Sequence, residues 1–333
     1  MDDCRGRLGW ARMSWGKKAL LLGALLIILA AGVGAYFFLF RGGLPTIQVK
    51  SITHRWAFVN ETVTAIESTV LIHNPTPISA TLKHLKYTIC LNGLDFATGC
   101  CSEPADIPAQ GDAEVKLMTY VKNERIPAWW VSHVEAGEKT EATISGVATV
   151  EALDMTFDVP FQYSGEFETH MEEQADINQP FDIVLLSLPL VGDISITVKK
   201  VDTSWGEVTD ETTQLIHIAH VYNPNDFDIP VTNMSYVIEA NGICLAEGEQ
   251  PLSTLLLAKS TTHLTLFTYI DNTLLDDWWV SHIQNNETTH LTILIYITMK
   301  FTVPFLGSFT VKRLVYHAEM DIKTDILRAL AYP

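Results

Sequence analysis

The sequence predicts an all-β protein: two tandem β-sandwich domains, each with one short helix, preceded by a single transmembrane α-helix. Three observations support this fold class. The sequence repeats itself at a constant offset of 149 residues. Apolar and polar residues alternate with period two through both copies, which is the pattern of half-buried strands. Residues 19–40 form an uninterrupted apolar segment without charge.

The internal repeat is clearest in the pentapeptide Trp129–His133, which returns as Trp278–His282. The same offset places Asn74-Pro75 on Asn223-Pro224 and Asn92-Gly93 on Asn241-Gly242. Self-similarity at a fixed period indicates a duplicated structural unit. We therefore place copy 1 at residues 44–168 and copy 2 at residues 193–325, with a linker and an unassigned apolar stretch at 169–192.

The strands are indicated by alternation and by turn residues. Val115 and Leu117 alternate with polar residues, and their counterparts Leu264 and Leu266 repeat this face. The two Asn-Gly pairs predict tight hairpin turns, because both central positions of such a turn need positive φ. The two Asn-Pro pairs predict strand ends, since proline cannot donate to a ladder and asparagine can close a turn. Short antiparallel strands with regular turns favour a β-sandwich.

The repeated pentapeptide departs from this alternation. Apolar residues at Ile126, Trp130 and Val134 have helical spacing. Pro127 is suited to a first helical turn, and Gly137 can end the helix. Each copy is therefore predicted to carry one short helix.

The tryptophans of this helix have two possible roles. Trp129 and Trp130, with His133, could form an aromatic cage that grips a ligand; alternatively, Trp130 and Trp279 plug one end of each sandwich. We favour the plug, which leaves Trp129 and Trp278 to touch lipid or a neighbouring domain. The candidate structural residues of the repeated motifs are Asn74, Pro75, Asn92, Gly93, Trp129, Trp130, His133, Asn223, Pro224, Asn241, Gly242, Trp278, Trp279 and His282.

Residues 19–40 are long enough for a transmembrane helix. As an α-helix the segment spans about 33 Å, against roughly 30 Å of bilayer hydrocarbon. The tail at residues 1–18 carries a net charge of +3, which predicts a cytoplasmic N terminus and places both copies outside the cell. The alternative is a cleaved signal peptide, whose apolar region is normally shorter; a mature chain beginning near Tyr36 would support it.

The charge distribution limits the possible partners. The whole chain has a net charge of −17, so the part that follows the basic tail carries −20. This acidity excludes nucleic acid as a partner, because its binding depends on Lys and Arg at the phosphates. The last residues, 326–333, are expected to form a tail.

Catalytic or metal-binding motifs do not stand out in the sequence. It contains no nucleophile elbow, zinc-protease, phosphate-loop or dinucleotide motif, so we expect neither enzymatic activity nor a cofactor. His217, His220 and His263 could bind a metal, but a spacing of three places the first two on opposite faces of a strand, so we favour packed or solvated histidines. The five cysteines show no zinc or disulfide pattern. Possible glycosylation sites are Asn60, Asn233 and Asn286.

The sequence also predicts one difference in length between the copies. Phe157–Phe161 (FDVPF) matches Phe301–Phe305 (FTVPF) at an offset of 144 instead of 149. This match predicts that copy 2 has lost five residues near 151–156, as a hairpin tip would allow.

The ordered motifs resemble the late embryogenesis abundant type 2 family, also called the water stress and hypersensitive response (WHy) domain. They are Asn-Pro, a strand with Tyr87, Asn-Gly, Ala-x-Gly, Ile107–Gly111 (IPAQG), and Val-Pro-Phe with Ser164-Gly165. Copy 2 matches less well. The pentapeptide helix looks like that of membrane-anchored archaeal members.

This resemblance implies an immunoglobulin-like or fibronectin III-like sandwich without enzymatic activity, and a role in protection against desiccation. Our leading hypothesis is a membrane-anchored protein that binds lipids or destabilised proteins under water stress. A lipid-binding or lipid-transfer module at the envelope, which would need a cavity, is the first alternative. A structural envelope protein with protein partners is the second.

Overall fold

The computed structural model describes residues 48–188, 192–303, 307–325 and 327. The basic tail, the apolar segment 19–40 and most of the tail 326–333 lie outside the described residues. Among the helices that the structure describes, none has the length and apolar character needed to cross a membrane.

Copy 1 forms one antiparallel sheet that folds back on itself. Its strands are β1 (Gln48–Val59), β2 (Val63–Asn74), β3 (Ala80–Leu91), β4 (Leu94–Cys101), β5 (Ala105–Ile107), β6 (Gly111–Lys122), β7 (Lys139–Ala152) and β8 (Met155–Glu168). They pair in the order β1-β2-β6-β4-β3-β7-β8, with β5 alongside β3. A 3-10 turn at Asn123–Arg125 leads from β6 into helix α1 (Ile126–Glu135).

Copy 2 repeats this architecture as two separate four-stranded sheets. Its strands are β9 (Phe181–Leu188), β10 (Gly192–Val208), β11 (Thr212–Asn223), β12 (Ile229–Ala240), β13 (Ile243–Leu256), β14 (Ser260–Asp271), β15 (Thr288–Val303) and β16 (Gly307–Lys323). The sheet orders are β14-β11-β10-β9 and β13-β12-β15-β16. A 3-10 turn at Asn272–Leu274 leads into helix α3 (Leu275–Gln284), and the linker carries a one-turn helix, α2 (Met171–Gln174).

Each copy encloses its own core between two layers, as the alternation predicts. In copy 1, Ile52, Val70 and Val115 of β1, β2 and β6 pack against the layer that contains β3 and β7. In copy 2, Val221 of β11 and Met299 of β15 lie in the corresponding core. Burial of alternate residues from both layers makes each copy a β-sandwich, which confirms the all-β part of the predicted fold class.

The two copies differ where the layers meet. In copy 1, β4 pairs directly with β6, for example Gly99 with Thr119. In copy 2 the corresponding strands β13 and β14 belong to different sheets. Side chains bridge the two sheets instead: the Phe267 backbone N–H of β14 donates to Gln250 Oε1 of β13 at 2.9 Å, and the Tyr269 backbone N–H donates to the Tyr236 hydroxyl of β12 at 3.0 Å.

The prediction that copy 2 has lost five residues is wrong. Lys139 pairs with Glu168, 29 positions later, whereas Thr288 pairs with Lys323, 35 positions later. The β15–β16 hairpin of copy 2 is therefore six residues longer than the β7–β8 hairpin. The two Val-Pro-Phe motifs misled the alignment, because Phe157 lies on the second strand of its hairpin and Phe301 on the first.

The apolar stretch that the sequence left unassigned belongs to copy 2. Strand β9 pairs with β10, from Phe181 opposite Val198 to Leu188 opposite Gly192. It adds an edge strand to one layer of copy 2, and Leu185 is buried in that core. The linker is consequently short and ends at β9.

Candidate functional site

The repeated pentapeptides lie on helices α1 and α3, and these helices meet between the two copies. Each helix begins directly after a 3-10 turn, with Pro127 in the first turn of α1. Gly137, with φ of +68°, follows the end of α1. Ile126 and Val134 are buried on one face of the helix, as their spacing predicts.

Trp129 and Trp278 fill the interior of their own copies. The Trp129 indole lies edge-on to Phe96 with ring centroids 6.0 Å apart, and its Nε1–H donates to Thr140 Oγ1 at 3.0 Å. The Trp278 Nε1–H makes the equivalent bond to Thr289 at 3.0 Å. These indoles plug the helix ends of the two sandwiches.

Trp130 and Trp279 instead reach into the opposite copy. The Trp130 Nε1–H donates to Thr213 Oγ1 of copy 2, and the Trp279 Nε1–H donates to Thr64 Oγ1 of copy 1, both at 2.9 Å. The structure thus exchanges the roles expected from the sequence, in which Trp130 and Trp279 were the plugs. A contact with a neighbouring domain was foreseen, but for the wrong tryptophan of each pair.

Two further tryptophans complete the contact. Trp56 donates its Nε1–H to Glu287 Oε1 at 2.9 Å, and Trp205 donates to Glu138 Oε1 at 2.8 Å. Both bonds cross from one copy to the other. The rings also pair edge-on across the boundary, Trp56 with Trp279 at 6.2 Å and Trp130 with Trp205 at 5.7 Å.

We call this contact the joint. Its residues are Trp56, Thr64, Trp130 and Glu138 of copy 1, and Trp205, Thr213, Trp279 and Glu287 of copy 2. Each of these hydrogen bonds and ring pairs occurs twice with the copies exchanged, which is the pattern of an isologous two-fold interface. One apolar cluster also contains residues of both copies, among them Ile126 and Leu275.

The free energies of the individual cross-copy contacts show that the joint holds the copies together. A net hydrogen bond contributes about 1 kcal/mol, and an edge-to-face aromatic pair contributes roughly 0.5–1.5 kcal/mol beyond its buried area. Four cross-copy hydrogen bonds and two ring pairs therefore stabilise the joint by several kcal/mol. The copies meet at the ends that carry α1 and α3. The strand tips at the opposite end of each copy therefore point away from the joint.

The carboxylate of Glu138 is held by several donors. It accepts hydrogen bonds from Trp205, from Thr169 Oγ1 and from the backbone N–H groups of Met171 and Glu172 at the start of α2. Burial by itself raises the pKa of Glu138, but these hydrogen bonds outweigh it and hold the pKa below the usual value. Glu138 is therefore buried as a satisfied anion.

Positive φ angles aim both glutamates at the joint. Glu138 and Glu287 have φ of +61° and +55°, a region that bulky residues rarely adopt. Gly137 and Asn286, the preceding residues, are also left-handed. This local strain at the same place in both copies indicates that the positions are constrained by their tertiary contacts.

The pentapeptide histidines support these glutamates. His133 lies between Thr140 and Thr169, with ring nitrogens 2.7 and 2.8 Å from the hydroxyl oxygens, and Thr169 donates to Glu138. His282 lies in the same way between Thr289 and Thr324. Burial lowers the pKa of both histidines. Their role here is to order hydroxyl groups, so neither forms the ligand-gripping cage considered above.

The Asn-Gly turns are tied to the same helices. Asn92-Gly93 and Asn241-Gly242 have positive φ at both residues, which confirms the predicted tight turns. The Asn92 side chain donates to Ser132 Oγ at 3.1 Å, and Asn241 donates to Ser281 Oγ at 3.1 Å. The serine of each pentapeptide therefore docks its helix on a hairpin turn.

The Asn-Pro pairs end β2 and β11, as predicted, at the opposite end of each copy. Asn74 is buried and donates to the carbonyls of Ile78 and Pro108 at 2.9 and 3.0 Å. Asn223 donates to Phe227 and Leu256 carbonyls in the same manner. Pro75 and Pro224 follow directly and stop the strands.

Two of the three histidines weighed as metal ligands lie close together, and the third has other partners. The rings of His220 and His263 lie 4.2 Å apart, while His217 is held between Thr203 and Thr268. Within the described ranges, no group of three or more His, Cys, Asp or Glu residues could hold a metal ion. Of the possible glycosylation sites, Asn60 and Asn286 are exposed and Asn233 is half-buried in β12.

Sequence reasoning missed most of the joint. It gave no role to Trp56 and Trp205, or to the glutamates and threonines. A signal was available: Thr64, Glu138 and Asn123 are identical to their counterparts 149 residues later. Identity between copies at polar positions beside the helix would have identified the joint residues.

Both copies match one known family. The family model for the late embryogenesis abundant protein LEA_2 matches residues 69–165 and 219–313. No curated protein matches the chain. Among solved structures, a protein from Archaeoglobus fulgidus is 28% identical with a TM-score of 0.33, over 38% of this chain and 98% of its own.

Two solution structures give further matches. A protein from Arabidopsis thaliana is 20% identical, with a TM-score of 0.28, over 37% of this chain and 80% of its own. A putative late embryogenesis abundant protein is 18% identical, with a TM-score of 0.26, over 44% and 74% of the two chains. Because the family model matches both copies and together more than half of the sequence, this chain belongs to the late embryogenesis abundant LEA_2 family.

Proposed function

We propose that this protein is a non-enzymatic, membrane-anchored LEA_2 protein that protects membranes or destabilised proteins during water stress. Family membership supports the protective role. The apolar segment 19–40 and the basic tail before it support a single-pass anchor with both copies outside the cell.

The observation that carries this proposal is the joint. It makes the two copies one stiff body, because the Trp130 and Trp279 indoles of the helices are bonded to Thr213 and Thr64 of the opposite copy. Glu138 and Glu287 are buried against Trp205 and Trp56. A body of this kind acts by its surface and its stability, which is the passive mechanism expected of a protective binding protein.

The surface offers apolar contacts to such partners. Exposed apolar side chains lie at the strand tips of both copies, including Leu153 and Met155 in copy 1 and Leu255 and Leu257 in copy 2. Surfaces of this type bind lipids or partly unfolded chains. The acidity of the body would keep the protein soluble while these contacts form.

The full-length protein in lipid vesicles tests the proposal. Vesicles that carry it should retain more of an enclosed dye after drying and rehydration than vesicles with an unrelated single-pass protein at equal mass. In cells, deletion of the gene should lower survival after drying and osmotic upshift. Equal dye retention together with unchanged survival would exclude the protective role.

Lipid binding is the second candidate function, and one observation favours it. A groove of about 490 Å³ lies between the edges of β9 and β16 in copy 2, lined in part by Val184, Leu314, Lys312 and Arg313. The lining also includes Asp182, but its two cations beside Val184 and Leu314 suit the headgroup and the start of the chain of an anionic lipid. Native mass spectrometry of detergent-extracted protein should then show a lipid adduct that is lost in Lys312→Glu/Arg313→Glu.

A further inference from the structure

The two ends of copy 1 present different surfaces. The helix end is covered by copy 2 at the joint. The opposite end contains the start of β1, the β2–β3 loop and the β7–β8 hairpin tip, because Gln48 pairs with His73 and Ala80 pairs with Ala152. The chain therefore enters copy 1 beside that hairpin tip.

This end carries exposed apolar side chains. Leu153, Met155 and Phe157 are 67%, 53% and 45% exposed, and Ile78 in the neighbouring loop is 42% exposed. Met155 and Phe157 lie on the face of β8 that also carries Phe167, which is buried further along the strand. This face of β8 is therefore buried in the body of the sandwich but exposed at the hairpin tip.

The backbone at the tip is unusual for these residues. Leu153 and Asp154 have φ of +53° and +59°, at the two central positions of a turn where Asn-Gly is preferred. The other tight hairpin of copy 1 uses Asn92-Gly93 at the same two positions. Leucine costs roughly 1 kcal/mol or more in this region, and here it gains no buried contact in return.

The chain outside the described residues indicates what covers this surface. Seven residues, 41–47, separate the end of the apolar segment from Gln48. Fully extended, they span at most about 25 Å. If residues 19–40 cross the bilayer, the tip end of copy 1 must lie close to the membrane surface.

The charges at this end indicate the kind of lipid. Asp154 sits at the tip, and Glu151 is paired with Lys83 at 2.7 Å. Asp158 accepts a hydrogen bond from Thr149 at 2.7 Å. Among the residues that the structure describes, this end carries no excess of cations that would attract anionic headgroups, so we expect its contact with lipid to come from the apolar side chains.

From these observations we propose that the β7–β8 tip of copy 1 (Leu153, Met155 and Phe157) inserts into the interfacial region of a zwitterionic bilayer. This inference rests on the proposed membrane anchor. The tip is a second membrane contact that holds copy 1 upright on the bilayer. The joint then directs the matching end of copy 2, with Phe227 and Leu255, away from the membrane.

The test uses the full-length protein in phosphatidylcholine vesicles, with a seven-residue protease site in place of residues 41–47. Flotation before cleavage reports the anchor, and flotation after cleavage reports the tip alone. We expect cleaved wild-type protein to stay bound, with little dependence on salt. The variant Leu153→Asn/Met155→Thr/Phe157→Thr should bind at least about tenfold more weakly, since three apolar side chains no longer leave water.

A matched control comes from copy 2. The variant Phe227→Thr/Leu255→Thr/Leu257→Thr removes exposed apolar side chains at the far end and should leave flotation after cleavage unchanged. If uncleaved protein does not float, the anchor is refuted and this inference falls with it. If uncleaved protein floats but cleaved wild type and tip variant are released alike, only the tip contact is refuted.

Leu153→Asn alone separates membrane contact from misfolding. Asparagine tolerates positive φ better than leucine, so this variant should melt at a higher temperature than wild type while it binds vesicles less well. A lower melting temperature would show that Leu153 packs against the protein itself, and would overturn the inference.

Discussion

The two copies have equivalent joints but different layer boundaries. At the joint, Trp205 donates to Glu138 and Trp56 donates to Glu287, and a threonine directly after the last strand of the same copy also donates to each carboxylate. At the layer boundary, β4 pairs directly with β6 in copy 1, whereas β13 and β14 of copy 2 belong to different sheets. The Tyr87 hydroxyl lies 2.6 Å from Thr119 Oγ1, while the Tyr236 hydroxyl accepts a hydrogen bond from the Tyr269 backbone N–H.

This difference shows how a duplicated unit diverges. The cross-copy bond from tryptophan is the same on both sides, because it belongs to the repeated unit. The layer boundary lies within each copy, where it can change without loss of the joint. We therefore expect equal substitutions to have similar effects at the joint and unequal effects at the layer boundary.

Removal of the joint glutamates should have the largest effect. Glu138→Ala leaves several buried donors without an acceptor, and should lower the free energy of unfolding by about 3 kcal/mol. Glu287→Ala likewise removes the acceptor of Trp56 and Thr324, and should cause a similar loss. Denaturant unfolding of the purified full-length chain would measure both, and no loss in either variant would contradict the role of the joint.

A side chain added at the glycines that pack against the core tyrosines should have the next largest effect on stability. A Cβ at Gly99 would lie 2.0 Å from Tyr87 Cζ, whereas at Gly248 it would lie 2.6 Å from Tyr236 Oη. Tyr87 is buried and its hydroxyl is 2.6 Å from Thr119 Oγ1, so it cannot easily move away. Gly99→Ala should cost about 2–3 kcal/mol and Gly248→Ala about 1 kcal/mol.

Thermal melting of the two alanine variants tests this prediction. A larger loss for Gly248→Ala would show that the more open layer boundary of copy 2 is the less adaptable one. A Gly93→Ala variant is a useful control, because φ is +79° there and no atom lies within 4 Å of the added Cβ. Its loss would report backbone strain without overpacking.

Loss of single cross-copy hydrogen bonds should have a smaller and nearly equal effect. Trp130→Phe and Trp279→Phe each remove one bond, to Thr213 and Thr64 respectively. Each should cost about 1–1.5 kcal/mol. A double-mutant cycle of Trp130→Phe with Thr213→Val should give a coupling of about 1 kcal/mol, and no coupling would argue against the joint.

The stability of the folded chain should change least with pH near neutrality. Burial lowers the pKa of His133 and His282 in the folded chain, so the unfolded chain is protonated first as pH falls. Stability should be complete above the unfolded histidine pKa of about 6.5, and should decline below it. His133→Gln should reduce this decline, measured as melting temperature against pH.

A second decline should follow at lower pH from Glu138. Its folded pKa is lowered, by hydrogen bonds that outweigh burial, so its contribution is present above the unfolded glutamate pKa of about 4.3 and is lost as pH falls through the folded value. Glu138→Gln should remove this second step. A single transition at the same pH in wild type and both variants would rule out the assignment.

The sequence alone determined the local structure of this protein. The 149-residue repeat, period-two alternation and Asn-Gly turns predict two copies of one strand-built domain, and Ile126, Trp130 and Val134 predict the helix. These features depend on residues a few positions apart, whose side-chain directions follow from strand or helix geometry. For that reason they are readable without a structure.

Only the tertiary structure decided how the two copies meet. Trp130 bonds Thr213, 83 positions away, and Trp56 bonds Glu287, 231 positions away. The β15–β16 hairpin gained six residues although a Val-Pro-Phe motif suggested a loss. Such contacts depend on how folded domains pack against each other. The indole of a helix tryptophan can turn to either side of the helix until a partner fixes its orientation.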